Sequence, residues 1–137
     1  FASTVNEVVP LTQLKDGRGK LQTGIAGLSA GGNTALLDAI DRGFVKLQDL
    51  RDKERINAIV VMTDGKENQS RIRLSALVDK LRRASSSDLP VLVFCIAYGS
   101  DADMQMLESI SSAAGGFTRR GDPETIKNLY KTLSTYF

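Results

Sequence analysis

The side chains best placed to do chemistry in this sequence are oxygen donors in short loops after apolar runs. Gly31-Gly32-Asn33 leads into Thr34, Thr63-Asp64-Gly65 ends the apolar run over residues 56–62, and residues 99–103 follow the run over 91–98. A carboxylate at a strand end beside a hydroxyl at a helix start offers ligands suited to Mg²⁺ or another hard cation. Gly31 and Gly32 let the backbone approach such an ion closely. An Asp-Gly pair after a strand is equally a plain turn, so on spacing alone both readings stand.

The rest of the composition removes other chemistries. With no His among 137 residues, there is no Ser-His-Asp or Cys-His pair, no imidazole zinc ligand and no histidine pH switch. A single cysteine, Cys95, excludes an intrachain disulfide and a CxxC knuckle, and its apolar strand makes it an inert core residue. The net charge of +2 gives no case for nucleic acid, and no run reaches the ~20 apolar residues of a membrane helix. Neither nucleic-acid binding nor direct membrane insertion is expected.

Weaker motifs resolve into structure. Gly17-Arg18-Gly19-Lys20 fails as a phosphate loop, because Leu14 and Leu21 stand where that pattern needs Gly and Ser or Thr. Arg120-Gly121-Asp122 reads as a strand end and a helix cap rather than an adhesion tripeptide, and Asn68-Gln69-Ser70 as a chance sequon. Arg71, Arg73, Lys80, Arg82 and Arg83 form a solvated helix face without interleaved aromatics. Asp103 suits a helix N-cap, and Asp101 the rim of the ligand face. Met104 fits the core stripe of its helix, whereas Met106 need not.

These loops need a scaffold. Residues 1–5 and 8–12 read as two strands of a hairpin, with Pro10 placing the second at a sheet edge. After the breaker cluster Asp16-Gly17-Arg18-Gly19, Leu21, Ile25 and Leu28 recur at helical spacing. Thr34 is the expected N-cap of a helix burying Leu36, Ile40, Phe44 and Leu47. Residues 56–62 suggest a strand covered on both faces. A helix with Leu74, Leu77, Val78 and Leu81 follows, then a strand over 91–98. Next comes a helix with Met104, Leu107, Ile110 and Ala114 that stops at Gly115-Gly116. Phe117-Thr118-Arg119 is a short strand. Asp122-Pro123 starts a last helix burying Ile126, Leu129, Tyr130, Leu133 and Phe137.

The order β-β-α-α-β-α-β-α-β-α implies one α/β domain over residues 1–137, doubly wound on a mostly parallel sheet with helices on both faces. Its two most hydrophobic strands want neighbours that this order does not supply. One central strand is short.

From Phe1 onward the chain resembles a von Willebrand factor type A domain of the bacterial type that lacks its beginning. The matching pieces are the 1–11 segment, Gly31-Gly32-Asn33-Thr34-Ala35-Leu36, Met62-Thr63-Asp64-Gly65, Ile96-Ala97-Tyr98-Gly99, Gly115-Gly116-Phe117 and Asp122-Pro123-Glu124. In that family three loops form a metal-ion-dependent adhesion site for Mg²⁺ or Mn²⁺, built from an Asp-x-Ser-x-Ser motif, a Thr and an Asp. A ligand carboxylate commonly completes the octahedron. The resemblance implies Thr34 as the hydroxyl ligand and Asp64 as a ligand acting largely through bound water. Thr63 and Gly65 would shape one loop, and Gly31, Gly32 and Asn33 the other.

Asp-x-Ser-x-Ser is nowhere in the sequence. About 30 residues, one strand and one helix, are missing by comparison with ordinary βα units. Weak or no cation binding is therefore expected of this chain, with an open slot beside the 56–62 strand. A domain-swapped or edge-paired homodimer is the expected remedy.

The implied function is non-enzymatic protein binding of an adhesion type, through an acidic side chain of the ligand, in an extracellular or cell-envelope setting. Two alternatives are a metal-assisted hydrolase using Asp64 and a degenerate scaffold for protein assembly.

Overall fold

A computed structural model describes residues 1–29, 31–122 and 124–135, apart from the side chains of Leu129 and Leu133. Its elements are α1 (Leu14–Ala26), α2 (Leu36–Leu50), β1 (Asn57–Thr63), α3 (Leu74–Ser85), β2 (Val91–Tyr98), α4 (Met104–Ala113), β3 (Thr118–Gly121) and α5 (Ile126–Leu133). The strands form one parallel sheet in the order β1-β2-β3, with Asn57 opposite Val91 and Cys95 opposite Thr118. This is the α/β, Rossmann-like architecture expected.

The core lies on one face of that sheet. Val61, Val91, Val93, Cys95 and Ala97 point into it and meet Leu36, Leu37, Ile40 and Phe44 of α2, Leu77 and Leu81 of α3, and Leu107 and Ile110 of α4. Each large apolar side chain so buried contributes about 1.5–3 kcal/mol. Met106 is buried there too, more than its spacing suggested. The opposite face holds a smaller cluster of Phe94 and Ile96, with Ala58, Leu92, Phe117 and Ile126 packed on it.

Coverage of the two faces is thus unequal, and on the second face Val60 and Met62 of β1 stay exposed. The 56–62 strand is not covered on both sides as its composition suggested. Tyr130 is also exposed, against the expectation for the last helix. Pro123 and Phe137, and the side chains of Leu129 and Leu133, fall outside the described residues.

The expected N-terminal hairpin does not form. Residues 1–13 contain no strand, and Pro10 lies at no sheet edge. An isolated two-stranded hairpin is marginal in water, and β1 pairs only with β2 among the described strands. The segment instead runs beside α2. Ala35 N–H donates to Ala2 O at 2.8 Å, the Arg42 guanidinium donates to Val5 O at 2.8 Å, and Lys46 pairs with Glu7.

The first helix also differs, running straight through the Asp16–Gly19 cluster. Gly17 and Gly24 serve close packing there. A Cβ at Gly17 would lie 2.3 Å from Thr12 Cγ2, and one at Gly24 would lie 2.6 Å from Val9 Cγ2. Of the apolar residues read at helical spacing, Leu21 is half-buried, Ile25 is exposed, and Leu28 is exposed beyond the end of the helix.

Candidate functional site

Parallel strands all release their chains at the same pole, and β1 ends there in Thr63-Asp64-Gly65. Thr63 is buried, and its hydroxyl spans the turn, 3.4 Å from both the N–H and the carbonyl of Gly65. That turn leaves Asp64 exposed at the pole. The Gly31–Asn33 loop reaches the same place from the start of α2. Gly32 has φ 85°, and a Cβ on it would stand 2.9 Å from Ser3 Oγ. The position suits only glycine.

Thr34 and Asp64 line one cleft of about 350 Å³, together with Ser29, Gly31, Gly32 and Thr63. The Thr34 hydroxyl packs directly on Gly65, where a Cβ would come within 3.2 Å of Oγ1. Thr34 is not the helix cap its position suggested. Ala35 occupies the N-cap of α2, with no side-chain capping bond. The Thr34 hydroxyl is therefore not spent on the helix and stays at the cleft.

Capping of α2 comes from a distant loop whose Asn68-Gln69-Ser70 the sequence offered only as a chance sequon. Glu67 Oε2 accepts from Leu37 N–H at 3.0 Å, and Ser70 Oγ accepts from Asp38 N–H at 3.0 Å. In return the Asp38 carboxylate accepts from the N–H groups of Arg71 and Ile72, each at 3.0 Å. A carboxylate at a helix N-terminus is also favoured by the helix dipole.

The pKa values of these carboxyls follow. The Asp38 carboxyl sits below its usual range because Ile72 and Arg71 donate to it. For Glu67, burial is the largest single influence and pushes upward, yet donation from Ser70, Leu37 and Gln69 together holds the carboxyl below its usual range. The signal in the sequence was a run of capping-type residues, Glu67, Asn68, Gln69 and Ser70, with no helix of their own to start before Leu74.

The third loop does not join the cleft. Asp103 caps α4 by accepting from Met106 N–H at 3.0 Å, as its position indicated. Asp101 accepts from Ser100 Oγ, and neither carboxylate lines the space around Thr34 and Asp64. Tyr98 does border a wider adjoining cleft of about 590 Å³, shared with Met62, Thr63, Asp64 and the N-terminal segment. Asp122 is held in its own turn by Thr125 and Glu124, so the tripeptide it ends is local structure. Cys95 is buried, and burial pushes its thiol up to about 12.

The family model for the von Willebrand factor type A domain matches residues 1–132. The chain belongs to that family. No curated protein matches it. Among solved structures, the domain is similar to a von Willebrand factor type A protein from Catenulispora acidiphila, with 19% identity and a TM-score of 0.68. The match covers 85% of this chain and 26% of that one, so the domain spans about a quarter of its neighbour's length. A membrane spanning protein from Vibrio fischeri is similar at 11% identity and a TM-score of 0.50, covering 87% of this chain and 66% of that one. At such identities the likeness concerns the fold.

Type A domains of this family commonly hold a divalent ion, so its fit to this domain can be judged from the donors present. Thr34 and Asp64 are of the right kind, a hydroxyl and a carboxylate that make no hydrogen bond or ion pair among the described residues. They are too few. Mg²⁺ takes six oxygens in near-octahedral geometry, and among the described residues no three His, Cys, Asp or Glu side chains are grouped to hold a metal.

Proposed function

We propose that this type A domain is a non-enzymatic protein-binding module whose contact surface is the pole bearing Thr34 and Asp64. The convergence on one cleft of a hydroxyl and a carboxylate without hydrogen-bond partners among the described residues carries this reading. The intact site would take a divalent cation, Mg²⁺ or Mn²⁺, with Thr34 and Asp64 as two of its oxygen ligands. The ion would supply a positive centre for an acidic side chain of the protein ligand. The sequence holds no Asp-x-Ser-x-Ser motif, so on this reading the affinity of this chain for the ion is weak. The free edge of β1 is the surface through which a second copy of the chain pairs.

An NMR titration with Mn²⁺ tests the site. Resonances of Thr34, Asp64 and Gly65 are expected to broaden first, with the effect lost in Asp64→Ala. Broadening centred on Asp52 and Asp88, at the other end of the strands, would overturn the reading. Hydrolysis of 4-nitrophenyl phosphate with Mg²⁺ that disappears in Asp64→Ala would establish the hydrolase alternative instead.

A further inference from the structure

The Thr34 backbone is held on both sides by the loop that leaves Asp64. Asn68 Oδ1 accepts from Thr34 N–H at 2.9 Å. The N–H groups of Asn68 and Gln69 both donate to Thr34 O, at 3.1 and 3.2 Å. Next to it, the Asn33 side-chain amide donates to Gln69 Oε1 at 3.0 Å. Both polar groups of one peptide-flanked residue are thus satisfied by a segment more than 30 positions away, although the whole region is open to water. Water could solvate these groups equally well, so the contacts add modest stability while they fix geometry.

The anchoring of that segment is just as specific. Glu67 Oε1 accepts from the N–H groups of Gln69 and Ser70, at 2.8 and 2.7 Å. Its other oxygen accepts from Ser70 Oγ at 2.8 Å and from Leu37 N–H on α2 at 3.0 Å. The loop is therefore shaped by Glu67, and Asn68 applies that shape to Thr34. Gly65, the residue after Asp64, completes the circuit by packing on the Thr34 hydroxyl.

We propose that Asn68 and Glu67 are positioning residues that fix the Thr34 hydroxyl relative to the Asp64 carboxylate, making the two loops one rigid unit. The inference rests on the assignment of Thr34 and Asp64 to a binding site and adds the residues that set their geometry. Asn68 acts at the peptide of Thr34, and Glu67 acts through the loop and α2. Neither is a ligand in this scheme.

Amide hydrogen exchange combined with Mn²⁺ titration tests it on the whole chain. Asn68→Ala is expected to lower protection of the Thr34 amide about tenfold, with Cys95 in the central strand unchanged. Asn68→Asp keeps the acceptor and should restore protection. Asn68→Ala should need about tenfold more Mn²⁺ than wild type to broaden Asp64 and Gly65 equally, with the urea midpoint unchanged, a split that general destabilisation does not produce. Equal loss at Thr34 and Cys95, or unchanged Thr34 protection, would overturn the proposal. If wild-type protein shows no Mn²⁺ broadening at this pole, the binding assignment fails, and the exchange data still decide whether the clasp holds Thr34.

Discussion

The Thr34 hydroxyl does not cap α2, because three other residues take that duty. Ala35 takes the N-cap position of α2, and Glu67 and Ser70 satisfy the helix amides that a capping hydroxyl would have served. Spacing made Thr34 the helix cap while the family resemblance made it a ligand, and the cap reading fails because local spacing cannot show a cap supplied from 30 residues away. Gly65 offers a sensitive test of the contact. A Cβ there would sit 3.2 Å from Thr34 Oγ1, closer than ordinary packing allows. Gly65→Ala should displace the Thr34 amide and methyl resonances while costing less than about 1 kcal/mol in urea unfolding. Unmoved Thr34 signals would disprove the contact. The carboxyls of Glu67 and Asp38 give a second test. Both have lowered pKa values in the folded protein, so their contribution is complete above the ordinary carboxylate range and is lost as pH falls through the folded values. The urea midpoint should fall on acidification from pH 5 towards pH 3 (about one unit either side of an ordinary carboxylate), and Glu67→Gln should flatten part of that slope.

Among the elements, α1 stands apart. It has a helix's periodicity, yet Leu14 and Ile25 are exposed and Leu21 is only half-buried, and it packs mainly on residues 8–12 through Gly17 and Gly24. Helices draw most of their stability from tertiary burial, so α1 should open well before the sheet. Amides of α1 are expected to exchange at least about a hundredfold faster than those of β2; equal protection would show cover that the packing does not provide. At the other extreme, Gly116 closes α4 against β2, where a Cβ would fall 2.0 Å from Val93 O. Gly116→Ala should cost about 3 kcal/mol or more, read from chemical denaturation. These contrasts explain what was legible. The stripes of α2, α3 and α4 were readable because one buried face dictates their period. The hairpin expected over residues 1–5 and 8–12 was misread because alternation predicts a strand only when a neighbour is there to pair with it. Unequal coverage of the sheet was invisible, since an apolar strand looks the same whether one face or both are covered.

At the scale of the whole molecule, the open side of β1 is the feature the fold leaves unresolved. Residues 57–63 pair with β2 on one side only among the described strands, and Ile56, Val60 and Met62 are 57%, 42% and 37% exposed along it. An unpaired apolar edge is a template for another strand. In water its amides and carbonyls stay solvated, so pairing gains chiefly from burying the adjacent side chains. A second copy of this chain presents the same edge, and antiparallel pairing about a two-fold axis would bury both at once. Val60→Lys places a charge in the middle of that edge without touching the core on the other face. Sedimentation equilibrium should show wild-type chain associating as concentration rises, with Val60→Lys weakening association about tenfold or more and leaving far-UV circular dichroism unchanged. A wild-type chain that stays monomeric at millimolar concentration, or a Val60→Lys variant that associates equally well, would show that the β1 edge is not where two copies meet.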